Sequence, residues 1–394
     1  MRGFRLLTIL VALGLFAAAC SSDSDDATES SESAADAADD SSADDAATDD
    51  AAVDDSAEDD AMEEEPADEP AEAELEDSLV ILCTVAEEWC EAQTAAFSDE
   101  AGVDAQYQRL STGEAIARLE AEGDDPSFDV WFGGPSLGPA TAALDGFIEA
   151  YVSPNAADIP DDLQSGDGIW TGVYVGALGF CSNAEFLDEL GVEPPVSYDD
   201  LLNPALENNI AMADQRTSGT AATAAGNLVA LLGSEDAALE YLGQLDANIF
   251  QYTRSGSAPG RMAAQGEVAA AIIFSHDCVA FEEETGVDLH VTFPAEGTGF
   301  EVGQVSLIAN ASSPNAGRAF VDWALTAEAQ EVGATVRAFQ IPSNPAAAVP
   351  EQAVSLDDVV LAPGYSPQLA EDLRAGDFPE RFANEVRGGA EAPE

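Results

Sequence analysis

From residue 78 to residue 135 the chain repeats one pattern: a short apolar run, a turn of small polar residues, then a stretch suited to helix. Ser78-Leu79-Val80-Ile81-Leu82 reads as a buried strand, and Thr84-Val85 leads into a helix through Phe97. A second strand over 105–110 ends in Ser111-Thr112-Gly113-Glu114, which opens a helix over 115–121. A third, Phe128-Asp129-Val130-Trp131-Phe132, ends in Gly133-Gly134-Pro135. Strand alternating with helix predicts an α/β chain with a parallel sheet covered on both faces. Ligands of such sheets bind beyond the carboxyl ends of the strands, so Thr84, Ser111, Thr112, Gly133 and Gly134 are candidate cleft residues.

Residues 208–226, NNIAMADQRTSGTAATAAG, repeat the theme with more polar chemistry. The apolar run Ile210-Ala211-Met212-Ala213 predicts a buried strand, and Ser218-Gly219-Thr220 the start of an Ala-rich helix. Unpaired N–H groups at a helix start favour an anion. Ser218 and Thr220 add hydroxyl donors, Gly219 permits close approach, and Arg216 adds positive charge. The plainer reading is an ordinary N-cap serine or threonine. Arg254-Ser255-Gly256-Ser257 has the same makeup and precedes a helix predicted over 258–265. The strand predicted over 268–274 ends in Ser275-His276-Asp277, taken as an extended segment in which the His276 and Asp277 side chains diverge. An extended run over 170–180 reads as a crossing into a second lobe. Strand 305–309, a helix over 314–325 and Ile341-Pro342-Ser343 complete the core, while residues 346–394 have no assigned place.

Upstream of this unit the chain changes character. Arg2 and Arg5, an apolar run over 6–16 and Ala17-Ala18-Ala19 before Cys20 form a secretory signal too short to span a bilayer as a mature helix. Residues 21–76 are Ser, Asp, Ala and Glu with little to bury, which predicts a disordered, self-repelling stalk. The formal net charge is −65 and lysine is absent, a balance that argues against nucleic acid and anionic membrane surfaces as partners. Cys83, Cys90, Cys181 and Cys278 are an even set in an exported chain. The short separation suggests Cys83–Cys90, leaving Cys181–Cys278, although four cysteines allow three connectivities. No spacing fits zinc.

The run YTRSGSAPGRMAAQGEVAAAIIFSHD, the run FPAEGTGFEVGQVSLIANASSPNAGRAFVDWALTAEAQ, IPSNP, DVWFGG and WTGVYVGALGFCSN resemble extracellular solute-binding proteins of ABC importers. They are similar to the subgroup known as iron(III) transport binding proteins, which also resembles receptors for hexose phosphates and 2-aminoethylphosphonate. Cys20, directly after small residues, resembles the lipid-bearing cysteine of a bacterial lipobox. The resemblance implies an α/β, type II periplasmic-binding-protein-like fold, two lobes around a ligand cleft joined by hinge strands. It suggests lobe 1 over 77–170, lobe 2 over 171–298 and a return to lobe 1 over 299–345. It further implies a monomer on the outer face of the cell membrane or in the periplasm, working with a permease and an ATPase, with no cofactor and no catalysis.

Three readings of the site follow, two of them ligand classes and one an enzyme. Ferric-binding relatives use adjacent tyrosines, whereas Tyr174 and Tyr252 here are isolated. A phosphorylated sugar or phosphonate suits the two hydroxylated loops and their flanking arginines. His276, Asp277 and Glu301 are then candidates for hydroxyl or amine groups of the solute, and His290 is structural. A serine hydrolase built from Ser255 or Ser257 with His276 and Asp277 is the remote alternative, since no G-x-S-x-G elbow occurs.

Overall fold

Apolar alternation and small-residue turns give the first half its expected form. Strands β1 (Ser78–Cys83), β2 (Asp104–Arg109) and β3 (Val130–Pro135) pair in parallel, crossed by helices α1 (Glu87–Ala101) and α2 (Thr112–Glu122). Ser111 and Glu114 form a capping box at the start of α2, worth about 1 kcal/mol. Helix α3 (Leu137–Leu144) and the short β4 (Ile148–Glu149) lead to β5 (Thr171–Asn183), thirteen residues long and buried throughout. The second half follows in chain order: α4 (Ala184–Leu190), β6 (Ile210–Ala213), α5 (Gly219–Leu232), α6 (Glu235–Leu245), β7 (Ile249–Thr253), α7 (Ala258–Ala264), β8 (Ala270–Phe274), α8 (Ser275–Thr285) and β9 (Leu289–Thr292). The chain returns through β10 (Phe300–Ile308), α9 (Pro314–Ala324), α10 (Ala327–Glu331) and β11 (Ile341–Pro342), and ends with α11 (Pro367–Ala375) and α12 (Phe378–Arg381). This computed structural model describes residues 74–393, all within one compact unit. Cys20 and nearly all of the expected stalk lie outside the described residues.

The strand order is β2-β1-β3-β10-β5-β8-β6-β7, with β4 on β10 and both β9 and β11 on β5. The sheet is therefore mixed rather than parallel, a correction to the sequence expectation. β10 runs antiparallel to β3 and β5, and β5 antiparallel to β8, because β5 and β10 carry the chain between the halves instead of closing a β-α-β unit. A second correction concerns Ser275-His276-Asp277, which begins α8 rather than extending β8. Each half has its own core. Phe97 and Phe320 meet edge-to-face at 5.0 Å in the first, and Phe180, Met212, Leu242 and Phe274 fill the second. Burying each such side chain contributes about 1.5–3 kcal/mol.

Both disulfides expected from spacing are formed: Cys83–Cys90 with Cα atoms 6.0 Å apart, and Cys181–Cys278 at 5.6 Å. They differ in the loop they close, with separations of 7 and 97 residues. On loop entropy, paired Cys→Ala replacement at 181 and 278 should cost about 5 kcal/mol against about 2 kcal/mol for the shorter loop. Denaturant unfolding of the two double variants checks this ordering, and equal losses would contradict it.

Candidate functional site

The carboxyl ends of β1, β2 and β3 meet the amino ends of α5 and α7 around a cavity of about 60 Å³. Its walls include Thr84, Ser111, Thr112 and Gly134 from the first half, and Ser218, Gly219, Thr220, Ser255, Gly256 and Ser257 from the second. His276, Asp277 and Glu301 form its floor. Thirteen of the sixteen residues expected to bind ligand thus converge on one space. The approach is close. A Cβ on Gly219 would lie 2.8 Å from Thr112 Oγ1, and one on Gly256 would overlap the Thr220 hydroxyl.

Arg216, Arg254 and Gly133 do not line the cavity, contrary to expectation. Arg216 donates through Nε and Nη2 to the carboxylate of Asp214, each at 2.8 Å, and through Nη1 to the Ala390 carbonyl at 2.7 Å. The fully buried Asp214 needs a counter-charge, and Arg216 with Arg387 supplies it. Arg254 reaches across to Glu114 at 2.7 Å. Gly133 turns its carbonyl to Thr84 Oγ1 and Gln304 Nε2, while its left-handed backbone (φ 79°), followed by that of Gly134 (φ 69°), bends β3 toward the site.

The positive charge in the cavity comes instead from Arg109, which sequence reasoning missed. Arg109 ends β2, donates through Nε to the Val85 carbonyl at 3.1 Å and reaches Ser255 Oγ with Nη2 at 3.3 Å. Its signal was visible: a basic residue at the carboxyl end of a strand, just before Ser111-Thr112. Tyr174 and Gln340 also line the cavity. The Tyr174 hydroxyl accepts the Gly134 N–H at 3.0 Å, whereas Tyr252 is away from the site, bonded to Asp246 and covered by Arg387. Outward, the space widens into a chamber of about 330 Å³ bounded in part by Arg109, Arg261, Arg337, Phe281 and Phe339.

The floor is a compact set of ionisable groups. His276 Nε2 lies 3.5 Å from Glu301 Oε1 and 3.9 Å from Asp277 Oδ1, so His276 and Asp277 do not diverge as an extended segment would have required. The imidazole stacks on Phe274 at 5.5 Å and rests on Gly176. Its Nδ1 has no hydrogen-bond partner. Burial lowers the His276 pKa to about 3 and raises that of Asp277 to about 7. Glu301 is held well above the usual carboxylate range, first by burial and then by Asp277. A neutral imidazole beside a protonated Glu301, with Asp277 partly ionised near neutral pH, can both donate to and accept from polar groups of a solute. Among the described residues, no group of three or more His, Cys, Asp or Glu side chains is arranged to hold a metal ion.

Residues 92–359 match the family described as bacterial extracellular solute-binding protein. The chain belongs to that family. Solute binding rather than catalysis is the family's role, in partnership with ABC importers. The periplasmic binding protein AfuA of Actinobacillus pleuropneumoniae, solved with exogenous fructose-6-phosphate bound, has a TM-score of 0.75 and 34% identity, covering 79% of this chain and 98% of that one. Its two-lobed type II periplasmic-binding fold is the fold of this chain. An uncharacterized protein of Haemophilus influenzae is 38% identical over 260 residues, 64% of this chain and 74% of its own length. A putative 2-aminoethylphosphonate-binding periplasmic protein of Salmonella typhimurium is 28% identical over 165 residues, 41% of this chain and 45% of its own length.

The floor predicts how stability varies with pH. Raised carboxyl pKa values mean that the folded state holds protons the unfolded chain has already released, so the contributions of Asp277 and Glu301 are lost as pH rises. The depressed His276 acts oppositely, its contribution being lost as pH falls from about 6.5 toward 3. Above pH 6.5 only the carboxyls matter. The thermal midpoint without solute should therefore fall between pH 6.5 and 8, and Asp277→Asn should flatten that fall. An unchanged slope in the variant would refute the assignment.

Proposed function

We propose that this protein captures a small solute bearing a phosphate or phosphonate group and delivers it to an ABC permease. The supporting observation is the Arg109 guanidinium, fixed by the Val85 carbonyl within the hydroxyl-lined cavity. Around it stand Ser111, Thr112, Ser218, Thr220, Ser255 and Ser257, a donor set suited to oxyanions. The Ser218 hydroxyl already accepts the Ala221 N–H at 3.4 Å. The N-cap role and a ligand role for Ser218 are therefore compatible, because a hydroxyl retains its own proton to donate. Arg261 and Arg337 border the outer chamber together with Glu87, Glu88 and Glu284, so the charge that selects an anion is that of Arg109 at the cavity itself. His276, Asp277 and Glu301 then receive the hydroxyl or amine end of the solute.

The ferric alternative fits less well. The Tyr174 hydroxyl is occupied by Gly134 N–H, and burial raises its pKa well above the ordinary tyrosine value, which opposes phenolate formation. Outside the cell, the reading includes attachment by lipid at Cys20. Cys20→Ser should release the protein from the membrane while leaving affinity unaltered; membrane retention of the variant in fractionation would count against it.

Titration calorimetry with a hexose phosphate, 2-aminoethylphosphonate and ferric citrate tests the ligand. Arg109→Gln should weaken binding of the phosphorylated solute roughly ten- to a hundredfold, the loss of a charge-assisted bond worth about 1.5–3 kcal/mol. Ser218→Asp should abolish it by placing a carboxylate against the anion. Preserved phosphate binding in both variants, or tight ferric binding in Ser218→Asp alone, would reverse the reading.

A further inference from the structure

We propose that α11 is a strap across the cleft, and that Arg374 and Glu371 on it are positioning residues for solute capture. Neither side chain lines the cavity. Both hold loops that do, and the loops belong to opposite lobes. Glu371 is 6% exposed and accepts the Ser136 hydroxyl at 2.8 Å. Ser136 follows Pro135 of the cavity wall, and its N–H is bonded to the Val302 carbonyl on β10. One turn along α11, Arg374 Nη1 donates to the Gln215 carbonyl at 2.6 Å, in the loop that leads to Ser218. Its other terminal nitrogen lies beside Gly113, where an added Cβ would sit 3.0 Å from Nη2 and 2.7 Å from the Arg216 carbonyl oxygen. The Gly113 N–H in turn donates to Thr217 O at 2.9 Å, joining the loop of Thr112 to the loop of Ser218.

Residues three apart lie on one face of a helix, so Glu371 and Arg374 work side by side. The apolar side of the same helix makes an equivalent bridge. Leu137 of α3, Ala222 of α5 and Ala370 of α11 form one buried cluster. The approach to α5 is tight, since a Cβ on Gly226 would lie 3.1 Å from that of Ala370. Just upstream, Thr298 exchanges backbone hydrogen bonds with Val360 and Ala362, and the Tyr365 hydroxyl donates to the Phe300 carbonyl at 2.7 Å, next to Glu301. A helix that only capped one core would need apolar burial on one side. Two ionisable side chains directed to two different lobes are instead what holding their separation requires.

Affinity falls with the fraction of molecules in the binding-competent arrangement. A strap that raises that fraction strengthens capture without touching solute. The inference rests on solute binding in this cavity and not on the phosphate assignment. The test uses small-angle scattering of the solute-free full chain, together with calorimetry against a hexose phosphate, on Arg374→Ala, Arg374→Lys and Ser136→Ala. Arg374→Ala should enlarge the radius of gyration and weaken binding about tenfold. Arg374→Lys should recover part of both, and Ser136→Ala should move both in the same direction by less. Wild-type scattering and affinity accompanied only by a lower thermal midpoint would overturn the proposal, as would tighter binding. Should Arg374→Ala fail to fold, Ser136→Ala decides the matter by the same criteria. Should the wild-type protein ignore hexose phosphate, the phosphate reading fails while scattering still judges the strap.

Discussion

A strand buried over its whole length must find partners for its backbone polar groups within the protein. β5 meets this demand by changing partners midway. Residues from Thr171 to Ala177 pair with β10, with β11 alongside, and residues from Leu178 to Asn183 pair with β8 and β9. The relation between the two lobes is set at that change. The same strand supplies Tyr174, whose hydroxyl receives Gly134, and Gly176, on which the His276 ring rests. Gly303 on β10 leaves room for the Tyr174 ring, which any Cβ there would overlap. The inner geometry of the cleft therefore follows from hydrogen bonding in the sheet.

Much of this was legible in the sequence. Short apolar runs ending in Ser, Thr and Gly located β1, β3 and β6 and the loops after them, because strand periodicity and turn chemistry are local properties. The mixed direction of the sheet was not legible, since the pairing of β10 with β3 and β5 depends on contacts far apart in the chain. Arg216 and Arg254 were read by proximity to hydroxylated motifs, yet a guanidinium on a long side chain goes to the nearest buried or facing carboxylate, here Asp214 and Glu114. His276 and Asp277 were assigned to the end of a strand. The helical turn that actually holds them follows immediately on Phe274, with no side-chain cap to announce it. Gln340 carried no signal at all.

A formal charge of −65 leaves arginine scarce, and its placement is correspondingly informative. Arg216, Arg374, Arg381 and Arg387 tie the C-terminal segment to the second half of the molecule. Arg109, Arg261 and Arg337 border the cleft, with Arg261 also lying 4.8 Å over the Phe281 ring. Salt screens distant acidic groups beyond about 10 Å at 0.1 M, so a solute in the inner cavity responds mainly to Arg109 and the floor, while the outer chamber sets Glu87, Glu88 and Glu284 beside its arginines.

Gly134, Gly219 and Gly256 press so closely on Thr84, Thr112 and Thr220 that a larger residue at any of them would force the facing threonine to move. These loops have little freedom to drift over evolutionary time without losing the cavity itself. The outer chamber is different: Glu87, Glu88 and Arg337 there are exposed. A change in what the cleft accepts is accordingly easier to make by substitution in the outer chamber than at the base, where the backbone itself fixes the grip.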